Sequence, residues 1–309
     1  MNDRRYVMNV AISQMAFWHE PRSTWEKIGS VIPGLETMFG GPSNDDVSKQ
    51  IEELEMLISQ DVSGLVVFSN NSEAVAPTIN KAVDRGIPVI TAFADVRNSK
   101  RLAHIGANQE RLGWAVAHQV MEDFKEKVKE KPRALVAIGA NTSDDQVKRL
   151  EGIRSAINGC MELVDPVEDS FNSEEAERVI GNAFEKHENI DFIFGCNSQS
   201  AIGAVKALRK LKKQPGDVIV TGWDTDNEVM QQIVRPPHGA SWIHATAVLY
   251  SSYMVQVCFA MLEAANFGYL YSDTLNTEEL RLPAVPDILE IPMKDVVTSK
   301  NIVEYLGKR

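Results

Sequence analysis

The chain has little positive charge to offer: 43 Asp and Glu outweigh 32 Lys and Arg, for a formal net charge of −11. That balance excludes the basic groove of a nucleic-acid binder and the basic patch of a protein held on an anionic membrane. Cysteine is scarce, with 3 in the whole sequence. Cys160, Cys196 and Cys258 stand far apart without paired metal spacing, and an odd count sets up no disulfide framework. Cys196 and Cys258 lie in apolar runs and are expected as buried thiols. No apolar run is long enough to span a bilayer, and the N-terminal MNDRRYVMNVAIS lacks the apolar centre of a secretion signal. Catalytic signatures are missing as well. No GxSxG elbow, Walker loop or GxGxxG fingerprint follows a predicted strand, and Gly40-Gly41 has no phosphate-loop lysine behind it. His104, His118, His187 and His238 are scattered, none with a Cys or carboxylate at metal-ligand spacing. The expectation is a protein that is not an enzyme and takes no metal or cofactor.

What is present is a globular composition, 44% hydrophobic and 24% charged, over 309 residues. That length suits two domains of about 150 residues each. One strand–helix–strand unit occurs twice. Asp61–Phe93 reads DVSGLVVFSNNSEAVAPTINKAVDRGIPVITAF, and Ile190–Trp223 reads IDFIFGCNSQSAIGAVKALRKLKKQPGDVIVTGW. Each is an apolar run, a turn with Asn-Ser (Asn71-Ser72, Asn197-Ser198), an amphipathic helix, a Gly-marked break and a second apolar run. Each closes on an aromatic residue with an aspartate behind it, Phe93/Asp95 and Trp223/Asp224. The duplication points to two similar lobes presenting their strand ends to one ligand.

Short β-branched runs alternate with helical patterns almost throughout, the signature of parallel sheets covered by helices. Strands are predicted at Tyr6–Ser13, Leu35–Phe39, Gly64–Phe68, Pro88–Ala92, Leu102–Ile105, Ala134–Ile138, Glu162–Val167, Phe192–Phe194 and Val218–Thr221. Helices are predicted at Glu20–Gly29, Asp45–Ser59, Ser72–Asp84, Glu110–Lys129, Asp144–Met161, Ser173–His187, Ser198–Leu211 and Asp226–Val234. Val47, Ile51, Leu54 and Ile58 give the second helix one apolar stripe, with Ser43 or Asn44 as its cap. Lys125–Pro132 (KEKVKEKP) reads as a solvated helix end. From Ala240 onward the pattern is a strand, a long apolar helix from about Ala245 to Phe267, a polar loop (Ser272–Glu279), a Pro-flanked strand and a short last helix. This section is too small for a third domain and is expected to contribute elements to both lobes.

Several stretches together resemble the type I periplasmic solute-binding proteins, the ribose-binding group in particular. They are SNDDVSKQIEELEMLISQDVSGLVV (Ser43–Val67), IPVIT (Ile87–Thr91), HIGANQERLG (His104–Gly113), CNSQSAIGAVKAL (Cys196–Leu208), VIVTGWD (Val218–Asp224) and TSKNIVEYL (Thr298–Leu306). The resemblance implies an α/β fold of two doubly wound, Rossmann-like parallel-sheet lobes joined by a three-segment hinge. Residues 1–107 plus 245–285 would form the N-terminal lobe, and 108–244 plus 286–309 the C-terminal lobe. A ligand is then expected in the cleft between them, beyond the carboxyl ends of the strands, where helix N-termini offer free N–H groups. Closure would bury a polar solute and give a partner two states to read. The implied function is extracytoplasmic capture of a small sugar or polyol for an ABC importer. The same domain can instead present its closed form to a membrane sensor kinase or chemoreceptor. Lactose-repressor-type regulators also share the fold, but residues 1–5, ahead of the first predicted strand, hold no helix-turn-helix. The residues leave the compartment open between the cytosol and a mature segment without its leader; the resemblance implies the second, periplasmic or extracellular and membrane-associated.

The resemblance also implies site residues. Phe17 and Trp18 follow the first strand, where an aromatic pair stacks on the apolar face of a sugar, although packing under the first helix would also explain them. Arg149, three residues before Gly152, would fork its guanidinium onto neighbouring hydroxyls, with Lys148 as the contact if the register slips by one. Asn197 offers donor and acceptor atoms to a hydroxyl, and is equally a good helix cap. Asp224 after Trp223 would accept from two hydroxyls at once. Phe171 is expected as a second-lobe stacking ring, and His244 stands about where the last crossover supplies a glutamine, or is equally a hinge or core histidine. One departure bears on the ligand: where the family has an aspartate two residues after IPVIT, this chain has Phe93. Either Asp95 takes over that contact, or the first lobe is more apolar and takes a deoxy sugar, a furanosyl compound or another less hydroxylated solute. Gln14, Asn70 and Asn71 are the amides available to compensate.

Overall fold

Runs of β-branched residues become strands, and the amphipathic stretches between them become the helices that cover the sheets. A computed structural model of the chain describes residues 4–128, 131–187, 189–233, 240–267 and 287–307. In chain order the first elements are β1 (Arg4–Val10), a 3-10 turn (Ala16–Trp18), α1 (His19–Val31), β2 (Leu35–Gly40), α2 (Val47–Ser59), β3 (Gly64–Phe68), α3 (Ser72–Asp84), β4 (Val89–Ala92) and β5 (Ala103–Gly106). Next come α4 (Gln109–Asp123), α5 (Lys125–Val128), β6 (Arg133–Ile138), α6 (Asp144–Ile157), β7 (Glu162–Leu163), β8 (Val167–Glu168), α7 (Ser173–Lys186), β9 (Phe192–Gly195), α8 (Ser198–Lys210), β10 (Ile219–Trp223) and α9 (Asn227–Gln232). The last are β11 (Ala245–Leu249), α10 (Ser251–Asn266), β12 (Ile288–Glu290), β13 (Met293–Thr298) and α11 (Ile302–Gly307).

The chain divides into two compact units, Met1–Ala107 with Thr142–Asp144 and Tyr250–Ile291, and Asn108–Asn141 with Asp145–Leu249 and Pro292–Arg309. The first holds a six-stranded sheet in the order β12-β5-β4-β3-β1-β2. The second holds a seven-stranded sheet, β13-β11-β10-β9-β6-β7, with β8 also paired to β6. Among the described residues the pairings are parallel, except for the antiparallel β11–β13 pair. Parallel strands with helices on both faces bury both sides. In the second unit, Leu135 and Ala137 of β6 and Ile193 of β9 join a core with α7 and α8 residues. Their alternate neighbours Val136, Ile138, Phe192 and Phe194 join another core with α4 and α6 residues. The period of two along each strand thus feeds two cores at once. Burying a side chain such as Phe194, which is 0% exposed, contributes about 1.5–3 kcal/mol.

Several expectations need correction. The long apolar helix does not begin at Ala245. Ala245–Leu249 is buried throughout and is strand β11, and the helix starts at Ser251. Because β11 pairs with β10 and β13, it belongs to the second sheet and not to the first lobe; β12, expected in the second lobe, pairs with β5 in the first. The single strand Glu162–Val167 is two short strands, since Pro166 between them has no N–H to give the ladder. β1 ends at Val10, three residues short of Ser13. Helix α4 stops at Asp123, and a separate turn, α5, follows. The cap of α2 is Asp46, whose carboxylate accepts from the Lys49 N–H; it is neither Ser43 nor Asn44. Val234, His238 and the loop Ser272–Glu279 lie outside the described residues. Cys196 and Cys258 are buried as expected, and burial raises both thiols; Cys160 is exposed.

Candidate functional site

Parallel strands place their carboxyl ends, and the amino ends of the helices that follow, along one edge of each sheet. In the second unit that edge gathers Arg149, Phe171, Asn197, Trp223 and Asp224 from among the residues singled out from the sequence. β10 ends in Trp223, which is 0% exposed, and the Arg149 guanidinium lies over its ring at 4.2 Å. Each nitrogen of that guanidinium is engaged: Nε donates to Gln109 Oε1 (2.9 Å), Nη1 donates to the Cys196 carbonyl (2.7 Å), and Nη2 pairs with Asp145 at 3.1 Å. Arg149 is therefore a clamp between α6, α4 and the end of β9, and it braces Trp223. Its neighbour Lys148 is only half-buried. The clamp sits where α4 and α6 meet main chain to main chain: a Cβ on Gly113 would overlap the Arg149 carbonyl, and one on Gly152 would overlap that of Glu110.

Asp224 follows Trp223 in the left-handed region, at φ +70°. Its N–H donates to the Ala247 carbonyl (2.8 Å), and its own carbonyl accepts from Thr246 Oγ1 (2.8 Å). The carboxyl is buried and has no hydrogen-bond donor among the described residues. Burial pushes it up to about 7, against the pull of Arg149. Asn197 caps α8 by accepting from the Ser200 N–H (2.8 Å), and its Nδ2 donates to Gln146 Oε1 (3.3 Å). Both the capping and the site readings of Asn197 thus describe the same side chain. Phe171, at φ +54°, is half-buried, and its ring covers the end of β6 so closely that a Cβ on Gly139 would overlap it.

Two residues of this edge escaped sequence reasoning. Asp169, 0% exposed, accepts from Ser200 Oγ and from the Phe171 N–H (3.0 Å), and burial pushes its carboxyl up to about 7. The signal for it was slight: Asp169 is the second of two acids, Glu168-Asp169, at the end of the two-residue strand β8. Gln146 ties α6 to the sheet, accepting from the Gly139 N–H (3.0 Å) and donating to the Cys196 carbonyl (3.4 Å). In the first unit Gln50 of α2 does the same at β3, donating to the Phe68 carbonyl at 2.7 Å. His244 does not join the edge. It precedes β11, its Nδ1 accepts from the Val220 N–H at the start of β10, and its ring packs on Phe124 at 5.2 Å. That is the amino edge of the sheet; burial lowers the imidazole to about 4, so it stays neutral there.

The carboxyl edge of the first unit is mostly aromatic. Trp18, 2% exposed, lies 4.7 Å from Phe17, 5.1 Å from Phe68, 5.4 Å from Phe93 and 6.0 Å from Phe39. Asp95 is not available to a ligand. It is 2% exposed and bidentate with Arg101 (2.6 and 2.8 Å), and it accepts from Thr91 Oγ1 at 3.0 Å. Burial alone would raise this carboxyl; the Arg101 hydrogen bonds, helped by His104 and Thr91, outweigh that and hold it below the usual carboxylate range. Arg101 also reaches Asp287 ahead of β12, so this cluster fastens the returning strand. Asn71 caps α3. Asn70 donates to Asp45 (3.1 Å), while its buried Oδ1 has no partner among the described residues. Gln14 is exposed. Among the described residues no group of His, Cys, Asp or Glu could hold a metal, and no helix is long and apolar enough to cross a membrane.

The sequence profile of the family described as "Periplasmic binding protein domain" matches residues 6–268. Among curated relatives, the chain is 24% identical over 213 residues to the D-xylose-binding periplasmic protein of Haemophilus influenzae, covering 64% of this chain and 60% of that one. It is 22% identical over 200 residues to the ribose import binding protein of Bacillus subtilis, with 65% and 63% covered. The chain thus spans about three-fifths of the length of these relatives. Its fold is similar to that of an ABC transporter solute-binding protein from Agrobacterium vitis solved with α-D-tagatopyranose. That likeness has a TM-score of 0.85 at 14% identity and covers 99% of this chain and 98% of the other.

Proposed function

Because the chain belongs to the periplasmic binding protein family, in its type I, ribose-binding branch, we propose that it captures a small sugar or polyol outside the cytoplasm and hands it to an ABC importer. The observation that carries this reading is Asp224, a buried carboxyl without a donor of its own, held at a strand end beside Trp223, Arg149 and Asn197. Such a carboxylate accepts from two adjacent hydroxyls in charge-assisted bonds, the stronger kind. Asn197 adds an amide at the same edge, and Asp169 beneath it braces Ser200 and the Phe171 main chain. The C–H faces of a sugar ring match the aromatic faces of Phe171 in the second unit and of Phe17 in the first. Relatives named for xylose and ribose support a sugar as the solute.

A thermal-shift screen over pentoses, hexoses, deoxy sugars and polyols tests the reading. A ligand at about 100 times its Kd stabilises the bound form by about 2.7 kcal/mol, so its melt moves upward. Asp224→Ala is expected to abolish that shift with the fold intact. If amino acids or aromatic compounds move the melt and no carbohydrate does, the sugar reading is wrong.

A further inference from the structure

We infer that the carboxyl edge of the first unit takes the methyl group of a deoxy sugar, a 6-deoxyhexose in kind; this rests on the reading that the chain captures a sugar. The two units put opposite chemistry at one backbone position. Beyond β4 the chain turns left-handed at Phe93 (φ +66°), and beyond β10 it does so at Asp224 (φ +70°). In each unit the N–H of that residue donates to the strand next in sequence, to Ile105 at 3.0 Å and to Ala247 at 2.8 Å. β4 pairs in parallel with β5, as β10 does with β11. By backbone, then, the counterpart of Asp224 is Phe93, and not Asp95. The second unit fills the position with a carboxyl and the first with a phenyl ring.

A bulky residue sits poorly in the left-handed region, where Asn and Asp are favoured, so this ring is kept at the edge against local preference. Asp95 does not restore the missing carboxyl, since it is engaged by Arg101 and Thr91; Asp45, beyond β2 at the same edge, is tied to the Asn70 amide. Around Phe93 stand Phe17 at 5.2 Å, Trp18 at 5.4 Å and Phe68 at 6.5 Å. Phe17, Phe39 and Phe68 are half-buried, so the cluster keeps an apolar rim at the surface. The Asn70 amide oxygen, buried and unpaired among the described residues, is an acceptor left for one hydroxyl. A sugar hydroxyl pressed on the aromatic rings, out of reach of Asn70, would lose its water and gain no partner. A methyl group gains apolar contact there instead.

Calorimetric titration of the intact chain with matched pairs tests this: L-fucose against L-galactose, L-rhamnose against L-mannose, and 6-deoxy-D-glucose against D-glucose, with D-ribose and D-xylose beside them. In at least one pair the deoxy member is expected to bind roughly tenfold or more tightly than its parent, the scale of one unmatched buried hydroxyl. Phe93→Asn, a residue at ease in left-handed backbone, is expected to shrink that ratio by at least about fivefold; an unchanged ratio overturns the assignment to Phe93. If this variant does not fold, the wild-type pairs decide alone. Parents binding as tightly as their deoxy partners, or pentoses binding where no deoxy sugar does, overturn the inference and leave sugar capture standing. If no sugar of any kind binds, both fall.

Discussion

Asp224→Asn is expected to make the free protein more heat-stable at neutral pH while it weakens sugar capture. Burial moves the wild-type carboxyl from 3.8 to about 7. At about 1.4 kcal/mol per unit, the folded chain disfavours the ionised form by about 4 kcal/mol relative to the unfolded chain. Within that window the folded chain keeps a proton that the unfolded chain has already released. Stability therefore declines as pH rises from about 4, and the loss is complete above about 7. An asparagine carries no such proton and escapes the loss. Its advantage is near zero at about pH 4 and reaches full size by about pH 8, at roughly 2–4 °C per kcal/mol for a protein of this size. Asp169 titrates over the same range in both proteins and cancels from the difference. On the ligand side, losing a charged acceptor costs about 1.5–3 kcal/mol, which raises Kd by roughly ten- to a hundredfold. Calorimetric melts of both unliganded proteins at the two pH values, with a sugar titration at the higher one, give every quantity. A variant that melts no higher than wild type at the higher pH, or that holds the same margin at both, would refute this account of Asp224.

Asp95→Asn is expected to cost about 3–5 kcal/mol in urea unfolding, because it leaves the buried Arg101 without its main partner, while sugar affinity changes by less than about threefold. A large loss of affinity at unchanged stability would return Asp95 to the ligand. Gly139→Ala puts a Cβ into the Phe171 ring; overpacking of this kind costs about 1–3 kcal/mol. We expect the ring to shift and titrations to show weaker sugar binding. Wild-type affinity would mean that Phe171 is not part of the site.

Where residue pattern and backbone role coincide, the sequence was easy to read. β3 and α3 were predicted with the bounds they have, since Gly64–Phe68 is a short β-branched run and Asn71 and Gly86 punctuate the helix behind it. β11 was lost inside a long apolar stretch because no turn residue separates Leu249 from Ser251, and burial on all sides erases the alternation that marks a strand. Position along a strand was harder than strand existence. His244, placed by resemblance at the last crossover, stands before β11 and packs on Phe124, as the core-histidine alternative has it. Pairing Asp95 with Asp224 relied on matching side chains after an aromatic residue. The left-handed turns show the match to run through Phe93, and only hydrogen-bond partners reveal it. Asp95 itself was misjudged because its partner, Arg101, is brought close by the β4–β5 turn and is invisible as a motif.

The glycine contacts between α4 and α6 have a consequence for how this protein can change. With no side chain between the two main chains at Gly113 and Gly152, the seat of Arg149 is fixed by atoms that point mutation elsewhere can hardly move. Residues at the strand tips, such as Phe93 and Asn197, hold their neighbours through side chains. Lineages descended from this chain can therefore exchange one cargo for another by rewriting the tips, generation after generation, while the hard stop under Trp223 stays as it is.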